Sequence, residues 1–251
     1  IYNRRGEEAM RLEGRKIHYG LGTDLIKTID VRTGELRPST LDDVKNAARV
    51  VDYCSDIDFV ASYALPMEAQ TNMMYIECFR AELENTVKPI FFTAAGREDL
   101  ATMIEIAEAV AGSEDALAEK PFLINYSEPT PPLVHSFGAV SKLLLCADKG
   151  VPICYTPADV MGASAPVTLA GAIVQANAEA LSGIVLHQLR VHQLERGIAV
   201  LGDRDERVLV EELAPAEPFD VHRRRDRGGG HRGRRHVGRS GLVVDEHVAL
   251  V

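Results

Sequence analysis

The sequence predicts an α/β fold of the (β/α)8 barrel type, incomplete, and three observations lead there. Short apolar runs begin at Ile57 (IDFVAS), Pro89 (PIFFTA), Pro121 (PFLINY) and Val151 (VPICYT), about thirty residues apart. Between them lie stretches with the 3.6-residue period of amphipathic helices: Met67 to Leu83, Asp99 to Val110, Val134 to Lys149 and Val167 to Gln188. Strands that alternate with crossover helices imply a parallel sheet buried on both faces. The even spacing, with no GxGxxG or Walker glycine pattern, favours a barrel over an open doubly wound sheet. Four such units and the pieces ahead of them amount to about half a barrel, which leaves two strand edges unpaired and predicts weak or no activity for the chain by itself.

Residues 1–40 read as an extended segment. Lys16 to Tyr19 is one extended piece, and Thr28 to Val31 and Glu35 to Arg37 flank a Thr33-Gly34 turn as a hairpin decoration. Thr40, with Asp43 three residues on, forms a capping box in which Asp replaces the usual Glu and opens a helix from Leu41 to Tyr53. Gly112 and Gly150 stand where helices should stop, and Pro166 lies near a helix start with Ser164 as its cap. Residues 41–189 form the partial barrel and 190–251 a divergent tail. The chain starts at Ile1 without a Met, and IYNRRGEEAMRLEGRK reads as a sequence joined midway, so a truncated N-terminus is expected.

Charge and cysteine usage narrow the class. The net charge of −9 is unevenly spread: residues 1–188 hold 16 basic and 26 acidic side chains, and the remainder hold 12 Arg, no Lys and 11 acids. An acidic body has no general affinity for nucleic acid or anionic lipid. No uninterrupted apolar run reaches the roughly 18 residues of a membrane helix, and no signal-like pattern opens the chain, so a cytoplasmic protein is expected. Cys54, Cys78, Cys146 and Cys154 have no CxxC spacing, and four reduced thiols with no metal site is the expectation.

Long motifs then resemble a known family. INYSEPTPPLVHSFGAVSKLLLCADKGVPICYTPADVMGASAPVTLAGAIVQANAEALSGIVL, with RLEGRKIHYGLGTD and LDDVKNAARVVDY upstream, resembles the trimethylamine methyltransferase family from about Arg11 to Leu189. The resemblance covers only the middle of a family member. It implies a (β/α)8 barrel that takes a methyl group from a methylated amine and delivers it to the cobalt of a separate corrinoid (cobalamin) protein, with a homo-oligomeric full-length enzyme. The family holds a pyrrolysine branch acting on tertiary amines and a branch without it that includes glycine betaine methyltransferases. The reading leans to the quaternary branch, because a methyl on N⁺ already has a neutral leaving group and catalysis becomes largely orientation.

Such a site needs aromatic faces and a carboxylate for the cation. Tyr126, Tyr155 and Tyr63 stand near strand ends, where each could equally pack on the barrel rim. Glu128 is the anionic wall; otherwise it pairs with Lys142 or Arg97. Asn125 and Ser127 bind substrate, orient Glu128, or serve the turn. Gly162, Ala163 and Ser164, at a helix entrance, offer backbone N–H groups to a substrate carboxylate or a corrinoid phosphate, or only permit close packing. Gln175 and Glu179, at i and i+4, share a face that reads as solvated. His18 and Asp24 flank the Gly20-Leu21-Gly22 turn and could reach over the barrel mouth, with His18 a catalytic candidate; His135 is a weaker one. A different barrel enzyme, such as a lyase acting on a small carboxylate, would use Glu128 or His18 as a general base.

After Leu189 the resemblance stops. Val221 to Arg239 holds eight Arg against one Asp with a run of three Gly, and Lys, Asn, Thr, Tyr and Met are absent beyond Leu189. Val208 to Glu212 is the one stretch there that could serve as a further strand. The lost residue types have AT-rich codons, as in GC-rich coding sequence read out of frame, and a non-catalytic frameshifted copy is the rival to an enzyme. No aromatic residue in the Arg-rich run is available to stack on bases, which disfavours an RNA-binding tail. Sequencing the genomic DNA across codon 190 is expected to reveal an alternative frame that restores a strand and helix pattern; its absence in both other frames would sink the frameshift reading.

Overall fold

The computed structural model describes residues 1–71 and 73–195; the readings made for residues 196–251, including a strand at Val208 to Glu212, lie outside them. A hairpin comes first, with β1 (Lys27–Ile29) antiparallel to β2 (Leu36–Pro38), followed by helix α1 (Leu41–Tyr53). Then come β3 (Val60–Ala61), α2 (Met74–Asn85), β4 (Ile90–Phe92), α3 (Arg97–Ala111), α4 (Glu114–Glu119), β5 (Leu123–Ser127), α5 (Phe137–Lys149), β6 (Ile153–Tyr155) and α6 (Leu169–Glu195). Strands β3 to β6 pair in chain order, all parallel. This is the mixed α/β architecture and parallel sheet that the spacing predicts. Among the described residues the sheet has four strands, and closure into a barrel is not seen.

A fifth extended piece was not legible as a strand. Gly20 and Leu25 make parallel bridges to Phe59 and Ala64, so the segment between them runs beside β3. Only glycine fits at position 20, because a Cβ there would lie 2.1 Å from the Phe59 ring.

The helix boundaries follow local chemistry. Gly112 (φ 101°) and Gly150 (φ 62°) end α3 and α5 in the left-handed conformation, as expected. The start of α2 is later than Met67, because turn hydrogen bonds come first, with Ala69 N–H on Pro66 O and Met73 N–H on Gln70 O. Helix α5 starts at Phe137, where the Ser136 hydroxyl accepts from Ala139 N–H. Ser164 does not cap α6: its hydroxyl accepts from Val160 N–H, and Thr168 accepts from Gly171 N–H at the true start. The short α4, missed in the sequence, is capped by Ser113 and carries Glu114 and Asp115 in its first turn.

Alternate residues of the strands serve two cores. Val60, Ile90, Phe92, Leu123 and Ile153 pack under the helices with Phe79, Leu100, Met103, Ile104 and Leu143. Each such side chain contributes about 1.5–3 kcal/mol by leaving water. Ile124 and Cys154 face the other way, packing with Met10 and with the partly buried Phe59, Phe91 and Tyr126. The N-terminal arm crosses the strand entrances on this route: Tyr2 N–H donates to Pro121 O and Arg4 N–H to Val87 O, both at 2.9 Å.

Helix α6 corrects one expectation. Leu169–Gln193 is long and apolar enough, by length and composition, to cross a membrane. It nevertheless packs on α5 and β6, carries the buried Glu179, and continues across Arg190, whose Nε lies 2.5 Å from Asp148 Oδ1.

The hairpin is pinned to α1 by charge. Arg37 grips both Asp43 oxygens at 2.7 and 2.8 Å and Asp30 at 3.0 Å, while Thr40 N–H donates to Asp43 Oδ2 at 2.9 Å as the reciprocal half of the capping box. The Arg37 hydrogen bonds hold the Asp43 carboxyl down to about 2. A lowered carboxylate pKa contributes stability that is present above the unfolded value of 3.8 and is lost as pH falls toward 2. Asp43→Asn is therefore expected to cost about 1 kcal/mol at pH 7 in urea unfolding, partial exposure screening the pair, and nearly nothing near pH 2; an equal loss at both pH values would count against the charge account.

Candidate active site

Parallel strands leave their polar residues where they end, and that end is where a barrel or an open α/β sheet places its chemistry. Ser62 follows β3 and Thr93 follows β4; both are buried, and both hydroxyls donate to Asp24 Oδ1, at 3.3 and 3.2 Å. Tyr75 OH, at the start of α2, donates to Asp24 Oδ2 at 3.4 Å. Asp24 reaches this point because the Gly20 to Leu25 segment climbs beside β3, and it holds a left-handed φ of 64°, which Asp tolerates. Burial raises its pKa despite the three hydroxyls, and the charge of Glu128 raises it further. On α5, Lys142 Nζ donates to Ala94 O at 3.0 Å; burial lowers its pKa, and Glu128 and Asp24 act in the opposite sense.

Beside this carboxylate runs a row of aromatic rings. Phe59, Phe91 and Tyr126 come from three neighbouring strand segments and climb diagonally, with ring centroids 5.5 Å apart at each step and planes tilted by 43° and 44°. The row ends on an acid, since Tyr126 OH donates to Glu128 Oε2 at 2.9 Å. All three rings are half-buried and Glu128 is exposed, so the wall is reachable. Burial and the Glu128 carboxylate push the Tyr126 phenol well above its ordinary range, which keeps it a donor. Quadrupolar faces leading to a carboxylate suit a cation that has no protons to give.

The structure separates the other predicted residues. Asn125 and Ser127 alternate with Tyr126 along β5, and both are buried; Asn125 donates to Phe92 O at 3.3 Å, and its Oδ1 and the Ser127 Oγ have no hydrogen-bond partner among the described residues. Tyr155 stands opposite Ser127 in the register and packs on the helix side. Its ring lies under α6, where a Cβ at Gly183 would come within 2.3 Å of it, and its hydroxyl bonds His135 Nδ1 at 2.8 Å. Tyr63 packs with Val44, Ala64, Cys78 and Ala81, and its hydroxyl bonds Thr28 at 2.8 Å. His18 lies at the entrance of β3, with Nδ1 3.5 Å from Asp58 and Nε2 3.2 Å from Arg11 O, so Asp24 alone of that pair reaches the strand ends.

Two readings from the sequence change. The turn at Gly162, Ala163 and Ser164 precedes α6 and is not its N-terminus: Gly162 N–H donates to Ala165 O, and Ala163 and Ser164 N–H donate to Val160 O. Those amides are therefore already engaged. Glu179, read as solvated, is 1% exposed, and Gln175 donates to it at 3.2 Å. Phe59 and Phe91 were not legible as site residues in the sequence. Their signal was the two-residue period shared with Tyr126 through the parallel register.

The trimethylamine methyltransferase (MTTB) family model matches residues 1–195. A trimethylamine methyltransferase MttB of Desulfitobacterium hafniense (strain DSM 10664 / DCB-2) is 32% identical over 173 residues, covering 69% of this chain and 34% of the relative. A glycine betaine methyltransferase of Desulfitobacterium hafniense (strain Y51) is 26% identical over 170 residues, 67% of this chain and 35% of the relative. A trimethylamine methyltransferase MttB of Methanosarcina barkeri is 30% identical over 186 residues, 71% of this chain and 37% of the relative. The matched part of the chain thus spans about a third of the length of these relatives.

Asp24 gives the site a stability signature. A carboxyl whose folded pKa is raised lets the native state hold its proton more tightly, so stability falls as pH rises through the ordinary value of 3.8 toward the folded value. Asp24→Asn, which keeps an acceptor and tolerates the backbone conformation, is expected to be more thermostable than the parent at pH 7 and no different near pH 3. A variant less stable than the parent at pH 7 would mean that the hydroxyl bonds outweigh the burial of charge.

Proposed function

Because this chain belongs to the trimethylamine methyltransferase family, we propose that it binds a methylated amine against the Phe59–Phe91–Tyr126 wall and positions one methyl group for transfer to a partner-borne corrinoid. The observation that carries the reading is the aromatic row ending on Glu128, with a second carboxylate, Asp24, beside the strand ends. Aromatic faces attract N⁺–CH₃ groups at about 0.5–1 kcal/mol per ring in partly exposed sites. In the transfer the C–N bond breaks and its electron pair stays on nitrogen. A quaternary amine leaves as a neutral amine with no proton needed, whereas a tertiary amine must first carry one.

The corrinoid, when presented by its partner protein, supplies the nucleophile that accepts the methyl group. This chain's residues hold the cation, orient the C–N bond and supply negative charge to the ground-state ammonium. The Gly162–Ser164 turn does not fit a corrinoid phosphate through its amides, which are bonded within the turn, so no step is assigned to it. The lean is to quaternary amines, supported by the proton-free chemistry of the wall.

We read the sheet as an arc of a (β/α)8 barrel. Chain-order parallel pairing supports this, as does the outer edge of β6, which pairs with no strand among the described residues and lies beside a largely apolar cleft of about 330 Å³ lined by Ile153, Tyr155, Leu181 and Ile184. Exposed Ile173, Leu181 and Val185 on α6 suit cover by further barrel elements.

Calorimetric titration with glycine betaine, trimethylamine and an uncharged carbon isostere tests the wall. The amines are expected to bind and the isostere not, with Phe91→Leu weakening the binding about fivefold, as for one cation–π contact. Methyl transfer to a reduced corrinoid, followed by the cobalt absorption spectrum, tests the reaction. Equal binding of the isostere would remove the cation site, and amine turnover with no corrinoid requirement would favour a lyase.

A further inference from the structure

Above the β6 end, and apart from the aromatic wall, lies a polar cluster that the proposed reaction does not use. Gln175 Nε2 faces three oxygens, Asp159 Oδ1 at 2.9 Å, Ser164 O at 2.8 Å and Glu179 Oε1 at 3.2 Å, although an amide nitrogen has only two hydrogens. Leu133 N–H adds one more donor, to Glu179 Oε1 at 2.7 Å. The other carboxylate oxygens, Asp159 Oδ2 and Glu179 Oε2, are both buried and receive no hydrogen bond from any described residue. Glu179 is 1% exposed. Two carboxylates and a carbonyl thus converge on an amide group where, among the described residues, the hydrogen bonds found come from three N–H groups at most.

The neighbouring base does not supply that charge. Ser182 Oγ donates to Glu179 O at 2.9 Å and so accepts from His135 Nε2 at 2.7 Å, which leaves His135 Nδ1 to accept from Tyr155 OH. That is the pattern of a neutral imidazole, and burial lowers the His135 pKa in the same sense. A buried carboxylate with an unmet oxygen is costly unless a proton or a cation meets it.

We propose that Asp159, Glu179, Gln175 and the Ser164 carbonyl form a binding site for a divalent hard cation of the calcium class. Two carboxylates balance its charge, and neutral oxygens complete the shell, since among the described residues no third acidic, His or Cys side chain joins the group. Calcium accepts this mixture of carboxylate, carbonyl and amide oxygens with irregular geometry, while magnesium demands a near-octahedral set. Turning the Gln175 amide over presents its oxygen in place of its nitrogen. The cation would tie three pieces together: the loop carrying Leu133, the turn carrying Asp159 and Ser164, and helix α6.

The test is thermal unfolding of the full chain after treatment with a chelator, titrated with CaCl₂ and in parallel with MgCl₂ and with KCl at matched ionic strength. A saturable rise in Tm with Ca²⁺, larger than with Mg²⁺ and lost in Glu179→Gln, is expected. Should Glu179→Gln fail to fold, the partly exposed Asp159→Asn provides the same comparison, with a weakened Ca²⁺ response. The proposal is overturned by no Ca²⁺ response in the parent, by a response that persists unchanged in the variants, or by a response to K⁺ alone. A Glu179→Gln protein that is more stable than the parent, where the parent shows no Ca²⁺ response, would assign a shared proton instead.

Discussion

The two-residue period of β5 is the constraint on which the rest of the molecule depends. Leu123 goes to the helix-side core with Phe79, Leu100 and Leu143, while Ile124 and Tyr126 go to the face that carries Phe59 and Phe91. Parallel pairing transmits that choice to both neighbours, because Phe91 pairs with Ile124 and Cys154 with Tyr126. A slip of one residue in β5 would exchange its faces, putting Leu123 or Asn125 among the rings and Tyr126 on the helix side. The large apolar core on one side therefore fixes the order of the aromatic wall on the other.

Burial of charge is arranged around this frame in two ways. At the strand ends Asp24 is half-buried and surrounded by neutral hydroxyls, so it carries its charge at an energetic cost. Sites that bind cations accept such costs because the ligand returns the missing countercharge. Asp43 and Asp148 avoid the same expense by pairing, with Arg37 and Arg190, whereas Glu82 is fully buried with neither oxygen hydrogen-bonded by a described residue, and burial raises its pKa.

Much of the fold could be read directly. Gly112 and Gly150 end helices, the Thr40 and Asp43 pair opens one, and the four apolar runs became four parallel strands, because each signal is local and acts within about one turn of chain. Tyr126 and Glu128 were also legible together, being two residues apart on one strand and its exit. What failed was long-range. Tyr126 and Tyr155 both stand at strand ends, but only the register shows that Tyr155 lies opposite Ser127 and on the other face. Glu179 looks like a solvated helix residue until the loop through Leu133 covers it. The Gly20 to Leu25 segment has too few hydrophobic residues to look like a strand, and it is held by bridges at its two ends.

The arm that crosses the strand entrances implies an order of assembly. Tyr2 bonds the backbone at Pro121, Arg4 at Val87, and Met10 packs against Ile124 and Cys154. These partners follow the arm by many tens of residues, so closing such loops costs chain entropy before any contact forms. During synthesis the arm leaves the ribosome well before β4, β5 and β6, and it has nothing to dock on until they have paired. The arm, made before the strands it crosses, is thus among the last segments to reach its place, and until then the aromatic face of the sheet stays uncovered at its lower end.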